Sequence, residues 1–291
     1  MPNILPMMMG AAGVSSGGGP GTLWGWGSKG SIIGDDDTTA QSSPIQSGSE
    51  ENWLAVDPDD IRLKKLVSSS CAGAIRDDGT LWTWGQGNYG KTGHGNTTDT
   101  SSPVQVGSLT DWSNLSLGTD GMCAVKTDGT MWCWGRNWQG ALGQGDTTDR
   151  SSPVQVGALT NWKASYCTGG AFFGVKTDGT LWAWGKGAYG QMALGDTGNK
   201  CSPTQVGSLT DWAQLDGGDE YTGFVKTDGT LWAVGRNAVG VLGVGNTTDY
   251  SSPVQVGSLT DWFEVYATVG TNGGSGNERG TMAATKTDGT M

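Results

Sequence analysis

Residues Asp128 to Trp162 read D-G-T-M-W-C-W-G-R-N-W-Q-G-A-L-G-Q-G-D-T-T-D-R-S-S-P-V-Q-V-G-A-L-T-N-W. This stretch decides the fold because the chain says it again and again. Gly79, Gly129, Gly179 and Gly229 open successive copies 50 residues apart, and partial copies at Gly21 and Gly289 extend the series. A fixed period near fifty marks one supersecondary unit stacked many times. Chemistry spread evenly over the copies is architecture, so function belongs where the copies differ.

Working outward, the segment Trp112 to Leu117 is short and partly apolar, and Met122 to Thr127 (M-C-A-V-K-T) has strand composition. Asp128-Gly129 then predicts a two-residue type I′ turn. Thr130 to Trp134 returns as a partner strand, and Val154-Gln155-Val156 follows a Gly-rich loop as a fourth. Four short strands per fifty residues, with no helical period, predict an all-β propeller blade. A two-residue turn places Val125 opposite Trp132 and Cys123 opposite Trp134. Trp132 and Trp134 then share one face of the strand, with Met131 and Cys133 on the other.

Composition excludes several classes. The 291 residues include 52 glycines, which turn the chain, and 15 tryptophans, which fill its core. A net charge of −11 argues against nucleic acid as a partner, since that affinity rests on clustered Lys and Arg. Eleven aspartates fall in repeated turn positions, among them Asp78, Asp128, Asp178, Asp228 and Asp288, so much of the acidity is turn chemistry. The five cysteines (Cys71, Cys123, Cys133, Cys167, Cys201) are odd in number and lack C-x-x-C spacing. Neither a disulfide framework nor a zinc knuckle is expected from them. No apolar run approaches the ~18 residues of a membrane span. The Gly-rich stretches lack a following helix, so no phosphate loop and no cofactor is expected.

The run Trp134 to Asp146 (W-G-R-N-W-Q-G-A-L-G-Q-G-D) followed by S-P-V-Q-V at Ser152 to Val156 resembles the repeat of the regulator of chromosome condensation family. That repeat carries a W-G-x-N-x-x-G-Q-L-G-x-G core and a downstream P-x-x-V. The resemblance covers residues 21–291 and implies a β-propeller of four-stranded blades. The family typically has seven blades, whereas five periods separate Gly21 from Gly289. Ala193 stands where the second full copy has Gly143, and Val234 where other copies have Trp84, Trp134 or Trp184. The family's nucleotide exchange on a small GTPase maps onto no residue here and is not carried over.

Two domains are expected: an apolar N-terminal anchor with a Gly/Ser tether at 1–20, and the repeat propeller at 21–291. The chain stops one residue before the Trp of its sixth copy. Strand 22–26 is therefore expected to pair with strand 282–287 and close the ring, with Leu23 opposite Lys286 and Trp24 opposite Thr285. The rival is a longer chain with more blades. Closure would remove exposed sheet edges.

The variable loops are the expected binding face. The connections from strand one to two and from three to four share one end of the blades, and both length insertions fall there. Candidate residues are Asp57, Asp59, Asp60, Lys64 and Lys65 in the first insertion, and Asn272, Asn277 and Arg279 in the second. Tyr89, Trp138 and Tyr189 complete the set, on the loops after strand three. At the opposite end, Arg76, Lys126, Lys176, Lys226 and Lys286 recur two residues before each turn Asp. They suit hairpin solubility, or else an anionic partner. His94 is the sole histidine and is read as a loop residue, so no catalytic triad or histidine metal site is available. No catalytic residue is assigned, and the protein is expected not to be an enzyme.

In the N-terminal tail, Ile4, Leu5, Met7, Met8 and Met9 form a candidate docking peptide ahead of the tether. No Lys or Arg precedes Lys29, unlike a secretory signal. Anchor, tether and near-identical repeats also resemble bacteriophage virion proteins of the fibre or decoration type. The expected function is a non-enzymatic structural and binding module. On that reading, residues 1–20 attach it to other virion or assembly proteins, and its loops face a cell-surface ligand. The alternative is a cellular protein-interaction propeller, including a small-GTPase regulator, or a carbohydrate-binding propeller. Virion, cytoplasm and extracellular space follow as the corresponding locations.

Overall fold

The computed structural model describes residues 24–27, 41–46, 53, 70–119, 121–268 and 280–290. Every regular element among them is a strand or a short 3-10 turn. The chain forms two compact units, residues 1–136 with 149–160, and residues 137–148 with 161–291.

In the first unit, β1 (Trp24–Gly27) pairs with β2 (Gln41–Gln46). Next come β3 (Cys71–Ile75), β4 (Leu81–Gly85) and β5 (Thr100–Gln105), a three-stranded antiparallel sheet. Trp53 bridges Arg76 beside it, as Trp112 pairs with Lys126 in the next copy. That copy is a complete four-stranded sheet of β6 (Trp112–Leu117), β7 (Gly121–Lys126), β8 (Met131–Gly135) and β9 (Arg150–Gln155).

The second unit holds two more such sheets. One is β10 (Trp162–Cys167), β11 (Ala171–Lys176), β12 (Leu181–Gly185) and β13 (Lys200–Gln205). The other is β14 (Trp212–Gly217), β15 (Tyr221–Lys226), β16 (Leu231–Gly235) and β17 (Tyr250–Gln255). Finally β18 (Trp262–Ala267) pairs with β19 (Met282–Lys286). The fold is an array of β-propeller blades, as the period predicts.

The register corrects the expected hairpin by one residue. Val125 faces Met131, Ala124 faces Trp132, Cys123 faces Cys133 and Met122 faces Trp134. The reason is the turn. Gly129 N–H donates to Lys126 O (2.9 Å) and Lys126 N–H donates to Thr130 O (2.9 Å), so three residues form the loop. Gly129 alone takes positive φ (78°). A type I′ turn would need Asp128 there too, whereas a three-residue loop needs one glycine after an ordinary turn. The same shift removes the basis for the expected terminal register, which followed the same turn. Trp24 pairs with Gln46, and Thr285 pairs with Glu264.

The corrected register also overturns the cysteine expectation. Cys123 and Cys133 form a disulfide, with Cα atoms 4.2 Å apart. Cys71, Cys167 and Cys201 remain thiols.

Both faces of β7, β11 and β15 are buried, as in sheets packed between neighbours. Trp84, Trp134 and Trp184 are fully buried, and removing one such ring costs about 3–5 kcal/mol. Trp134 and Trp184 also have a polar task. Trp134 Nε1–H donates to Lys91 O and Trp184 Nε1–H to Ala141 O, both at 2.9 Å. The loop after the third strand of one blade is thereby latched to the indole of the next.

Where Val234 replaces the indole, Thr222 supplies the missing donor. Its Oγ1–H reaches Gln191 O at 2.9 Å, and Thr222 is the cross-strand neighbour of Val234. Ala193 fits the same substitution. A Cβ on Gly143 would come within 3.0 Å of the Trp184 Nε1 atom, and one on Gly93 within 2.7 Å of Trp134 Nε1. Ala193 stands at the equivalent position with φ 63°, facing the repeat slot where the indole is absent.

Candidate interaction surface

The phrase D-G-T-x-W folds into a hydrogen-bond relay at the hairpin end of each blade. Trp132 Nε1–H donates to Thr130 Oγ1 (2.9 Å), and Thr130 donates its hydroxyl (2.7 Å) and its N–H (2.9 Å) to Asp128 Oδ1. The relay recurs from Trp82 to Asp78, Trp182 to Asp178 and Trp232 to Asp228. The Thr hydroxyl holds each of these carboxyls below the ordinary Asp range, aided by the Thr amide. These loops are architecture, as their near-invariance suggests.

The recurring cations are corrected more sharply. Lys126, Lys176 and Lys226 are buried, so they neither solubilise the hairpins nor stand open to an anionic partner from outside. Lys126 Nζ lies 5.0 Å from the Trp112 ring centroid and 4.7 Å from that of Trp132, with Asp111 Oδ1 at 3.5 Å. Lys226 repeats this between Trp212 and Trp232, with Asp211 at 3.4 Å. Arg76 lies over Trp53 and Trp82. Each cation occupies the angle between two indoles, where ring quadrupoles replace part of its hydration. Lys176 sits 3.7 Å from the Trp182 centroid, and Asn161 takes the place of the carboxylate. Desolvation lowers the Lys176 pKa, opposed by the charge of Asp178.

The other end of each sheet carries the variable loops. In the second full copy Asn137 is fully buried and organises the turn. Its Nδ2–H₂ donates to Asp146 O (3.0 Å) and Oδ1 (2.9 Å), while its Oδ1 accepts from Leu142 N–H (2.8 Å). Asn237 repeats the pattern with Asn246 and Leu242. In the first and third copies Gly87 and Gly187 occupy the slot, donating N–H to Asp99 and Asn199. The polar core of the loop thus fixes its backbone and leaves the next residues outward.

Trp138 follows Asn137 and is 59% exposed, the largest exposure among the big apolar side chains described. Tyr89 is 42% exposed, and the Arg136 guanidinium lies 4.6 Å from its ring centroid. Tyr189 is half-buried and carries Arg236 at 5.0 Å. Arg236 Nη1 donates to Glu220 Oε2 at 2.6 Å, and Lys186 approaches the same carboxylate at 3.5 Å. All three aromatic candidates therefore lie on loops of the expected kind, and Tyr89 and Tyr189 each carry a cation from the following blade. The sequence reading missed Arg136, Lys186, Arg236 and Glu220. For the three cations a signal was available: a basic residue directly follows the W-G or V-G that ends each of these third strands.

Asp57, Asp59, Asp60, Lys64, Lys65, Asn272, Asn277 and Arg279 lie outside the described residues, as do Ile4, Leu5, Met7, Met8 and Met9. His94 is a half-buried loop residue, its Nε2 3.0 Å from Thr83 Oγ1 and 3.2 Å from Val104 O. Desolvation lowers its pKa, opposed by the Val104 carbonyl. Among the described residues no three His, Cys, Asp or Glu side chains converge as metal ligands. No helix there is long and apolar enough to cross a membrane.

A chain of tandem four-stranded blades with a structural hairpin end and a variable loop end is a repeat propeller, a scaffold whose loops are free to diverge. The comparisons make the class specific. The Regulator of chromosome condensation (RCC1) repeat matches residues 78–125, 128–175, 178–225 and 228–272, more than half of the chain. The chain belongs to that family.

Among solved structures it is similar to human WBSCR16, with 18% identity and TM-score 0.71, covering 91% of this chain and 70% of that one. It is similar to yeast RCC1 (Prp20) in the complex with Kap60, at 14% identity and TM-score 0.72, covering 91% and 62%. Prp20p from Saccharomyces cerevisiae, described with its binding properties to Gsp1p and histones, gives 15% identity and TM-score 0.71, covering 91% and 64%. The chain thus spans somewhat under two thirds of the yeast proteins' length. No curated protein matches the sequence.

Proposed function

We propose that the chain is a non-enzymatic protein-interaction propeller that engages a macromolecular partner through the loops after the third strands. Exposed Trp138 on a loop whose backbone is fixed by buried Asn137 carries the reading. Trp, Tyr and Arg held rigidly at a surface are the side chains that dominate binding energy at protein interfaces, and they lose little entropy on binding when already ordered. Tyr89 with Arg136 and Tyr189 with Arg236 add two preformed aromatic–cation pairs of the same kind. The relatives support a protein as partner, since Prp20p is described with Gsp1p and histones. Nucleotide exchange is not part of the proposal, because no residue here maps onto that activity. The virion reading rests on residues 1–20 and the near-identical repeats, and the similar structures, human and yeast, favour the interaction reading over it.

The test is binding of the purified chain to a small GTPase of the Gsp1p kind and, separately, to core histones. Trp138→Ala should weaken whichever complex forms by at least about tenfold, close to 1.4 kcal/mol. Equal affinities for the wild type, Trp138→Ala and Tyr189→Ala would reject the loop surface. Failure of both proteins to bind the wild type would reject partners of the relatives' kind.

A further inference from the structure

We propose that the Cys123–Cys133 bridge is a redox-sensitive clasp. Oxidised in the working protein, it fits two sulfurs into a slot too small for two free thiols, and its reduction loosens the β7–β8 pair ahead of the other blades.

The slot is defined by the repeat. Cys123 and Cys133 face each other across β7 and β8, and both are essentially inaccessible to solvent. The equivalent facing pairs are Gly73 with Thr83, Phe173 with Ala183, and Gly223 with Ala233. Every one of them includes a glycine or an alanine. At Gly73 an added Cβ would already meet Leu115 at 3.1 Å, and at Gly223 it would meet Met282 at 2.6 Å and Val265 at 2.8 Å. Each equivalent pair therefore carries at most one side chain larger than a methyl. Bonded sulfurs sit about 2.0 Å apart, whereas non-bonded heavy atoms need roughly 3.5–4.0 Å. With the two Cα atoms held 4.2 Å apart by the ladder, separated thiols overpack the site.

The position is suited to a bond. Lys126 N–H donates to Thr130 O, so alternation makes 123 and 133 a non-hydrogen-bonded pair, in which opposed side chains approach closest. The remaining cysteines offer no easy exchange partner, since Cys71 and Cys167 are buried and Cys201 is partly so.

Reduction consumes two electrons and two protons. A dithiol reductant attacks one sulfur as thiolate, forms a mixed disulfide and closes on itself. It leaves as a disulfide, with both cysteines as thiols. Because both sulfurs are buried, attack waits on local opening of the hairpin. A bridge of this kind persists in an oxidising compartment and is lost in a glutathione-buffered one.

Thiol titration of the unfolded, air-equilibrated protein should find three reactive cysteines of the five. Reduction under native conditions should lower the thermal midpoint by about 4 °C or more and speed amide exchange at Ala124 and Trp132 about tenfold relative to Phe224 and Trp232. The double variant Cys123→Ala with Cys133→Ala relieves the crowding, resembling the Gly223 and Ala233 pair. It should melt above the reduced wild type and ignore reductant. Five titratable thiols in the air-equilibrated protein would overturn the proposal. So would a reduced wild type that melts with the oxidised one, or a double variant that melts below the reduced protein.

Discussion

The loops that follow β8 and β12 meet the next sheet through the same contact made of different parts. At the first, Trp184 fills the space and its indole N–H holds Ala141 O. At the second, Val234 leaves the space, Ala193 stands where Gly143 has no side chain, and Thr222 holds Gln191 O. The carbonyl is satisfied in both, because a buried acceptor left without a donor costs about 1–3 kcal/mol. Within one sequence, then, residues have drifted together across a blade boundary. The unit that varies as a whole is the contact between repeats, not the repeat.

Four substitutions test that reading. Trp184→Ala should have the largest effect, about 3–5 kcal/mol in denaturant unfolding. It removes a fully buried ring packed against Trp162 and Phe172 and strips Ala141 O of its donor. A loss below about 1 kcal/mol would mean the indole is not the latch.

Next comes Val234→Trp, which restores the common residue against the wrong partner. It should destabilise by about 1–3 kcal/mol through crowding at the Ala193 methyl. Ala193→Gly in the same chain should recover about 1 kcal/mol or more as a coupling term in a double-mutant cycle. Strict additivity would show that the two positions drifted independently.

The smallest effect belongs to Thr222→Val, near 1 kcal/mol for one hydrogen bond. It should speed amide exchange in the 187–199 loop while leaving the 137–148 loop unchanged. Equal exchange in both loops would remove Thr222 from the latch.

The blade was legible because its signals are local: a strict period, strands bounded by glycine, and D-G turns. Register was not, and one misjudged turn explains two errors. The type I′ reading needed positive φ at Asp128, and the chain places it at Gly129 alone. That residue of difference put Trp134 in place of Cys133 opposite Cys123 and hid the bridge. The lysines failed for another reason. Formal charge suggested exposure, but Trp112 and Trp132 lie near Lys126 only after three strands assemble. The loop end was legible from its variation among copies, and it picked out Tyr89, Trp138 and Tyr189. Their cationic partners depend on contacts between successive copies, Tyr89 with Arg136 and Tyr189 with Arg236. No single-repeat reading reaches them.

The latch also has a direction, and synthesis runs along it. Lys91 O waits for Trp134, Ala141 O for Trp184 and Gln191 O for Thr222. In every case the earlier residue offers the acceptor and the later one brings the donor. A ribosome adding roughly 5–20 residues per second delivers the donor to a finished loop only seconds after that loop has emerged. Each of these three loops is thus made before its donor, and the nascent chain carries one of them undocked near its growing end until the next blade arrives. A partner or chaperone that reads these loops would meet them first in that state.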